Sequence, residues 1–361
     1  MRPRLLPGLR RLWRDERTVQ LGTDPATAVV LELGHPALAR VLDLLDGSRT
    51  LRRLLAEARP FGLDGAEVLA LVDTLRASGL VVAAHALLPT GLDRTTGDGL
   101  TAEAAAISLR LREDPRDRTA AGVLRRRGGA RVIVAGDGPL VAPLATALAG
   151  AGVGHVEPLV EGRATDADVA VGGLGRDDVE SSRVLAITSA ITRHAPWARL
   201  SAGRGDGVDF VVRVGDRRLD ALDRRGVRMH LLPRLEVQVR LGTVLVGPLV
   251  RPSRSPCRGC LELHRQDRDP AWPALAAQLA TAPPGIGEPC SLTTAMAGAA
   301  FAADEVLSYL DGGSLRTEAA IVEIPRPGEA RRREWTAHPR CDCRRRRRGS
   351  RDSGSREAGS S

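Results

Sequence analysis

Four of the five cysteines fall in two tight pairs, Cys257-x-x-Cys260 and Cys341-x-Cys343, separated by about eighty residues. Two thiolates at the first spacing can share one tetrahedral metal, and a second pair from a distant segment completes the shell. Whatever fold the chain adopts must therefore bring residue 341 back to residue 257. In a reducing compartment such pairs favour a metal over disulfides. A redox-active C-x-x-C, the other reading of the first pair, has no use for the second. The expectation is one structural Zn²⁺ held by Cys257, Cys260, Cys341 and Cys343, contributing folding energy rather than catalysis.

The chain has 361 residues, too many for one ordinary core, which points to two domains. No stretch of about 18 uncharged apolar residues occurs, and Met1–Trp13 holds no apolar run of signal-peptide length, so the sequence reads as cytoplasmic with no membrane segment. The net charge of +9 is concentrated: residues 331–361 carry eleven arginines against four acids, or +7. Residues 344–361, five arginines and then mostly Ser and Gly, read as a disordered, solvated tail. With no folded basic face and no interleaved aromatics, nucleic acid is not the expected partner. The sequence contains neither lysine nor asparagine, which excludes any mechanism that requires either side chain.

Local patterns organise the first 84 residues. Loose alternation from Thr18 through Val19 and Leu21, a turn at Gly22–Pro25 and the run Ala28–Leu33 predict a β-hairpin. Three helical patterns follow: Pro36–Leu45 with Leu38, Val41, Leu42 and Leu45 on one face, Ser48–Ala58, and Asp64–Ser78 with Val68, Leu71, Val72 and Leu75. A strand at Leu80–Ala83 closes the set. This order, with the text "LARVLDLLDGSRTLRRLLAEA" and "VLALVDTLRASGLVV", resembles the PqqD-like peptide-recognition domains of ribosomal-peptide modification systems. The resemblance implies a winged-helix-like α+β domain in which a leader peptide adds as a strand to the sheet edge beside a helix. Carried onto this chain, the edge would be Thr18–Leu21 or Val29–Leu33 and the helix Asp64–Ser78, with Val19, Leu21, Val29 and Leu31 on the strands and Val68, Leu71 and Leu75 on the helix as the peptide-binding residues. A DNA-binding winged helix is the competing reading, but the second and third helical segments carry few clustered arginines.

Residues 85–130, rich in Gly, Thr, Asp and Arg with one helix expected at Thr101–Leu111, read as a linker. From Arg131 the pattern is a βαβ opening: a strand at Val132–Ala135, a turn at Gly136–Asp137–Gly138, a helix over Pro139–Gly150 and a strand at Val153–Leu159. Such a turn aims backbone N–H groups and the positive end of a helix dipole at a phosphate. Here Val141 stands where the third glycine of G-x-G-x-x-G would be, and Pro139 removes one donor.

The segment "VIVAGDGPLVAPLATALAGAGVGHVEPL", the first cysteine pair in "VGPLVRPSRSPCRGCLELHRQDRDPAWPALAAQL", the stretch Met296–Leu310 and "HPRCDC" come in the order that resembles the ThiF-like, ubiquitin-activating superfamily, over residues 131–343. The resemblance implies a Rossmann-type α/β fold with a structural zinc and, in active members, adenylation with ATP and Mg²⁺. Gly136, Gly138 and Glu161 would then line the nucleotide site, with Arg176 and Arg183 as remnants of phosphate ligands. The chain has no lysine to offer ATP, and "EGRATDADVAVGGLGR" lacks the usual Asn and Arg-Gln run, so the adenylation site is expected to be lost and ATP/Mg²⁺ not to be cofactors. A homodimer is also implied by the resemblance. So is a sharper role for Cys290, a catalytic thiol on a crossover loop at Thr281–Pro289; the plainer reading is a small buried residue before a helix at Ser291–Leu310.

Together the two resemblances imply a precursor leader-peptide-binding partner of a YcaO-type cyclodehydratase in thiazole/oxazole-modified peptide biosynthesis. The alternative is an active ThiF-like adenylyltransferase acting on a peptide or carrier-protein C-terminus. His230 and His264 read as ordinary histidines, and the run His264, Arg265, Asp267, Arg268, Asp269 as a salt-bridge network at a helix end, with a partner-contact surface as its sharper reading. No Ser-His-Asp arrangement or paired-carboxylate spacing is legible.

Overall fold

Apolar alternation at Val19, Leu21, Val29 and Leu31 becomes a strand pair in the computed structural model, β3 (Thr18–Leu21) against β4 (Val29–Glu32). The structure describes all residues except 26, 115, 117, 202–206, 216–227, 229–230, 253, 282–287 and 344–361. The chain divides into two compact units, Met1–Arg126 and Arg127–Ser361. His230 and the tail at 344–361 lie outside the described residues.

In the first unit, β2 (Arg11–Trp13) pairs with β3 on the side away from β4, so the antiparallel order is β2-β3-β4. β1 (Pro3–Leu5) pairs instead with β5 (Val81–Ala83). Three helices cover the sheet: α1 (Leu38–Leu44), α2 (Leu51–Ala58) and α3 (Gly65–Ala77). α2 begins at Leu51 rather than Ser48 because Thr50 is its cap, its hydroxyl accepting from Arg53 N–H at 3.3 Å. α3 starts on a capping box between Asp64 and Glu67. Their apolar stripes and the inward side of the sheet form one core, with Val41, Leu54, Val68 and Leu75 fully enclosed. Residues 85–126 are largely helical: α4 (Ala84–Leu87), α5 (Arg94–Arg110) and most of α6 (Ala120–Gly129). Asp93 caps α5 at Thr96 N–H, 3.0 Å away, which starts that helix seven residues before the predicted Thr101.

The second unit is a mixed seven-stranded sheet of order β12-β11-β10-β9-β8-β6-β7. β6 (Arg131–Gly136), β7 (His155–Leu159), β8 (Phe210–Val214) and β9 (Arg234–Arg240) run parallel; β10 (Thr243–Val250), β11 (Ala320–Arg326) and β12 (Glu329–Glu334) continue antiparallel. This is an α/β fold with a Rossmann-like parallel half. β6 is apolar and buried at every position after Arg131, as a central parallel strand must be. α7 (Val141–Gly150), α9 (Arg183–His194) and α12 (Leu292–Leu310) pack in one core with it, α8 (Asp166–Ala170) lying between β7 and α9 in the chain. α10 (Arg258–Arg268) and α11 (Trp272–Thr281) follow β10. Gly298 of α12 has no room for a side chain: a Cβ would stand 2.4 Å from Val244 Cγ1 of β10. Among the described residues no helix is long and apolar enough to cross a membrane.

Candidate functional site

The four paired cysteines do meet. Cys257 is the N-cap of α10, so the C-x-x-C spacing folds into the first helical turn, where Cys260 N–H donates to Cys257 O at 3.0 Å. The returning segment brings Cys341 Sγ to 3.5 Å from Cys257 and Cys343 Sγ to 3.4 Å from Cys260, while Cys257 and Cys260 are 3.9 Å apart. All four sulfurs lie within 4.8 Å of one another. Metal–sulfur bonds of about 2.3 Å in a tetrahedron place sulfurs about 3.8 Å apart, so the set fits one such ion. Burial pushes the Cys341 and Cys343 thiols up, and the neighbouring thiols push Cys343 further. Burial also raises Cys257, but hydrogen bonds from the Cys260 backbone and the other thiols outweigh it and hold Cys257 below the usual thiol range. A divalent cation at the centre favours the thiolate at all four positions.

The polar run after this turn anchors the returning segment. Asp267 accepts from His338 Nε2 at 2.8 Å and pairs with Arg340, and His264 Nε2 lies 3.0 Å from Thr336 O. His338 is 2% exposed and its backbone oxygen takes the Cys341 N–H at 3.1 Å. Neither His264 nor His338 belongs to the sulfur cluster; they set the path that delivers Cys341. Cys290 is half-buried, its Sγ 3.8 Å from Gly242 O, and burial pushes its thiol up. Of the expected crossover loop Thr281–Pro289, residues 282–287 lie outside the described residues.

At the glycine turn, Gly136 is required by its backbone. Its φ is +136°, and a Cβ would stand 1.9 Å from Val214 O of β8. Gly138, at φ +98°, has open space beside it. The turn is occupied by the chain's own charges. Asp137 Oδ1 accepts from Gly138 N–H at 2.9 Å, and Arg183 Nη1 reaches the same oxygen at 2.6 Å. Arg183 Nη2 spans Gly138 O at 2.7 Å and Asp168 Oδ1 at 2.5 Å. Asp168 in turn takes Thr165 N–H and hydroxyl at 2.9 and 3.0 Å through its other oxygen. Arg183 is 4% exposed and committed to this network; Arg176 is exposed and pairs with Asp166 at 3.3 Å. Glu161 lies exposed two residues beyond β7. A phosphate entering the turn meets a carboxylate that already holds the Gly138 donor. Neither Asp137, placed by the sequence only in the turn, nor Asp168 is among the expected site residues; the acid between the two glycines and the Thr165-x-x-Asp168 capping box are the signals that mark them.

In the first unit the structure separates the expected peptide residues. β3 is paired on both sides, so Thr18–Leu21 offers no free edge, and only β4 of the two expected strands is terminal in its sheet. Val19, Leu21, Leu31, Val68, Leu71 and Leu75 are buried core residues, between 0 and 7% exposed. Val29 is half-buried and Val30, 47% exposed, faces outward. β2 is the opposite edge, with Arg11 tied to Asp43 and to Leu42 O of α1.

No protein-family model matches the sequence. No curated protein matches it either. The fold is similar to solved structures. One of E. coli MccB with ATP has a TM-score of 0.59 at 12% identity, covering 95% of this chain and 99% of that one. The microcin C7 biosynthetic enzyme MccB in complex with N-formylated MccA gives 0.57 at 13% identity over 95% and 99%. PaaA gives 0.58 at 14% identity over 90% and 98%. The likeness is one of fold.

Proposed function

We propose that this chain is a leader-peptide-binding scaffold. Residues 1–84 take an extended segment of a ribosomally made precursor along β4. The later unit, stapled by Zn²⁺ at Cys257, Cys260, Cys341 and Cys343, presents that precursor to a YcaO-type cyclodehydratase that supplies the ATP chemistry for azoline formation. The observation that carries this reading is the glycine turn, where Asp137 holds the Gly138 N–H and Arg183 is committed to Asp137 and Asp168 rather than to a phosphate. β4 supports the peptide half. A strand bonds one neighbour with alternate residues, leaving the other N–H and C=O groups on its free side for a guest strand. In this arrangement the buried Val19, Leu31, Val68 and Leu71 hold β4 rigid, and Val30 offers apolar contact beside the incoming backbone.

The test is calorimetric titration of the full chain with leader peptides encoded by short reading frames beside its gene, together with ATP–pyrophosphate exchange by the protein alone. Peptide binding without exchange is the expected result. Val30→Glu should weaken binding at least about tenfold and leave the far-UV spectrum unchanged. Exchange without leader binding would replace the scaffold with the second reading, an adenylyltransferase. That reading draws on the similarity in fold to MccB, solved both with ATP and with N-formylated MccA. For the metal, one equivalent of zinc in the wild type and none in Cys257→Ser is expected; metal-free protein that keeps its stability would remove the ion from the proposal.

A further inference from the structure

The outward face of the antiparallel half carries a cavity of about 310 Å³, a size at the lower end for small-ligand sites. Register explains its construction. Leu245 of β10 lies opposite Glu323 of β11, and Ile321 opposite Arg333 of β12, so all four share the sheet face that α12 does not cover. Leu245 and Ile321 make an apolar floor. The wall is Trp272 at the start of α11 and Trp335 just past β12.

Cations are stacked on those rings. The Arg265 and Arg240 guanidiniums lie 4.8 and 5.5 Å from the Trp272 centroid, and Arg268 lies 5.0 Å from that of Trp335. Arg333 completes the set, paired with Glu323 at 3.1 Å. Trp335 also carries a buried indole N–H with no acceptor among the described residues.

We propose that this cavity binds a glutamate-like side chain from an acidic peptide segment. Guanidinium groups pair with carboxylates in a planar, two-pronged geometry, and the indoles and apolar floor suit a methylene stem. Four arginines face Asp269 and Glu323 in the lining, and Arg265 is also paired with Glu262 at 3.4 Å, so the site is rich in cations. A carboxylate suits those cations, whereas a doubly charged phosphate would be pressed against two fixed acids. The site is independent of the leader-peptide reading, since it uses neither β4 nor the glycine turn.

The experiment is titration of the full chain with hexaglutamate, acetylated and amidated so that its only carboxylates are on side chains, with hexaglutamine and inorganic phosphate alongside. Hexaglutamate should bind and hexaglutamine should not. Arg268→Gln and, separately, Arg333→Gln should each weaken binding about tenfold or more with the near-UV spectrum retained. If hexaglutamate binds both variants as it binds the parent chain, it is held elsewhere and the proposal falls. Phosphate displacing the peptide at equal concentration would overturn the carboxylate assignment.

Discussion

Single charges do unequal work in the two units. Asp46, in the Asp-Gly-Ser-Arg-Thr turn, accepts from Ser48 N–H and hydroxyl at 2.7 and 2.6 Å and from Arg49 at 2.6 Å. Slight burial raises its pKa, but those bonds outweigh it and hold the carboxyl below the ordinary range. A lowered acid stabilises the fold above its unfolded pKa, and that contribution is lost as pH falls through the folded value. Urea midpoints of the first unit should therefore decline below about pH 4, and the decline should be shallower in Asp46→Asn. Arg183 is a different case, because its partner Asp168 has a side chain 4% exposed. Arg183→Met leaves that carboxylate buried without a countercharge, and a loss of about 3–5 kcal/mol is expected in chemical denaturation. Arg183→Met with Asp168→Leu should recover much of it; a single variant as stable as the wild type would mean the network is not needed for the fold.

Elements differ in how far they can be read from sequence, and the reason is where their information lies. α1, α2, α3 and α12 announce themselves through apolar spacing and caps such as Thr50 and Asp64, all within one or two turns. β2 does not: Arg11-Leu12-Trp13 is three exposed residues in a basic stretch, and only pairing with β3 makes it a strand. Without β2 the hairpin has two possible edges, Thr18–Leu21 and Val29–Leu33; pairing with β2 leaves the second. β12, exposed throughout, is likewise a strand only through β11. The same division runs through the sites. Cysteine spacing is local and names the sulfur cluster, whereas Asp137, Asp168 and Arg183 meet only once β6, α8 and α9 have packed. Packing also restricts α12 against β10 at Gly298, where Gly298→Ala should cost about 1–3 kcal/mol by overpacking. Val244→Ala in that background should restore part of the loss, as read by thermal unfolding.

At the scale of the molecule, Trp13 is the one tryptophan of the first unit, while Trp197, Trp272 and Trp335 belong to the second. A variant keeping only Trp13 therefore reports the first unit alone. A chelator should lower the urea midpoint of the second unit and leave the Trp13 transition where it was; a shift in both would tie the metal to the whole chain. With an ion bound, the sulfur cluster also has a topological meaning. It closes the chain into a ring running from Cys260 through α10, α11, α12, β11 and β12 to Cys341. A protease cutting once inside that ring opens it without freeing either piece. Nicked protein should then migrate as one species under native conditions, and come apart when the metal is withdrawn in mild denaturant.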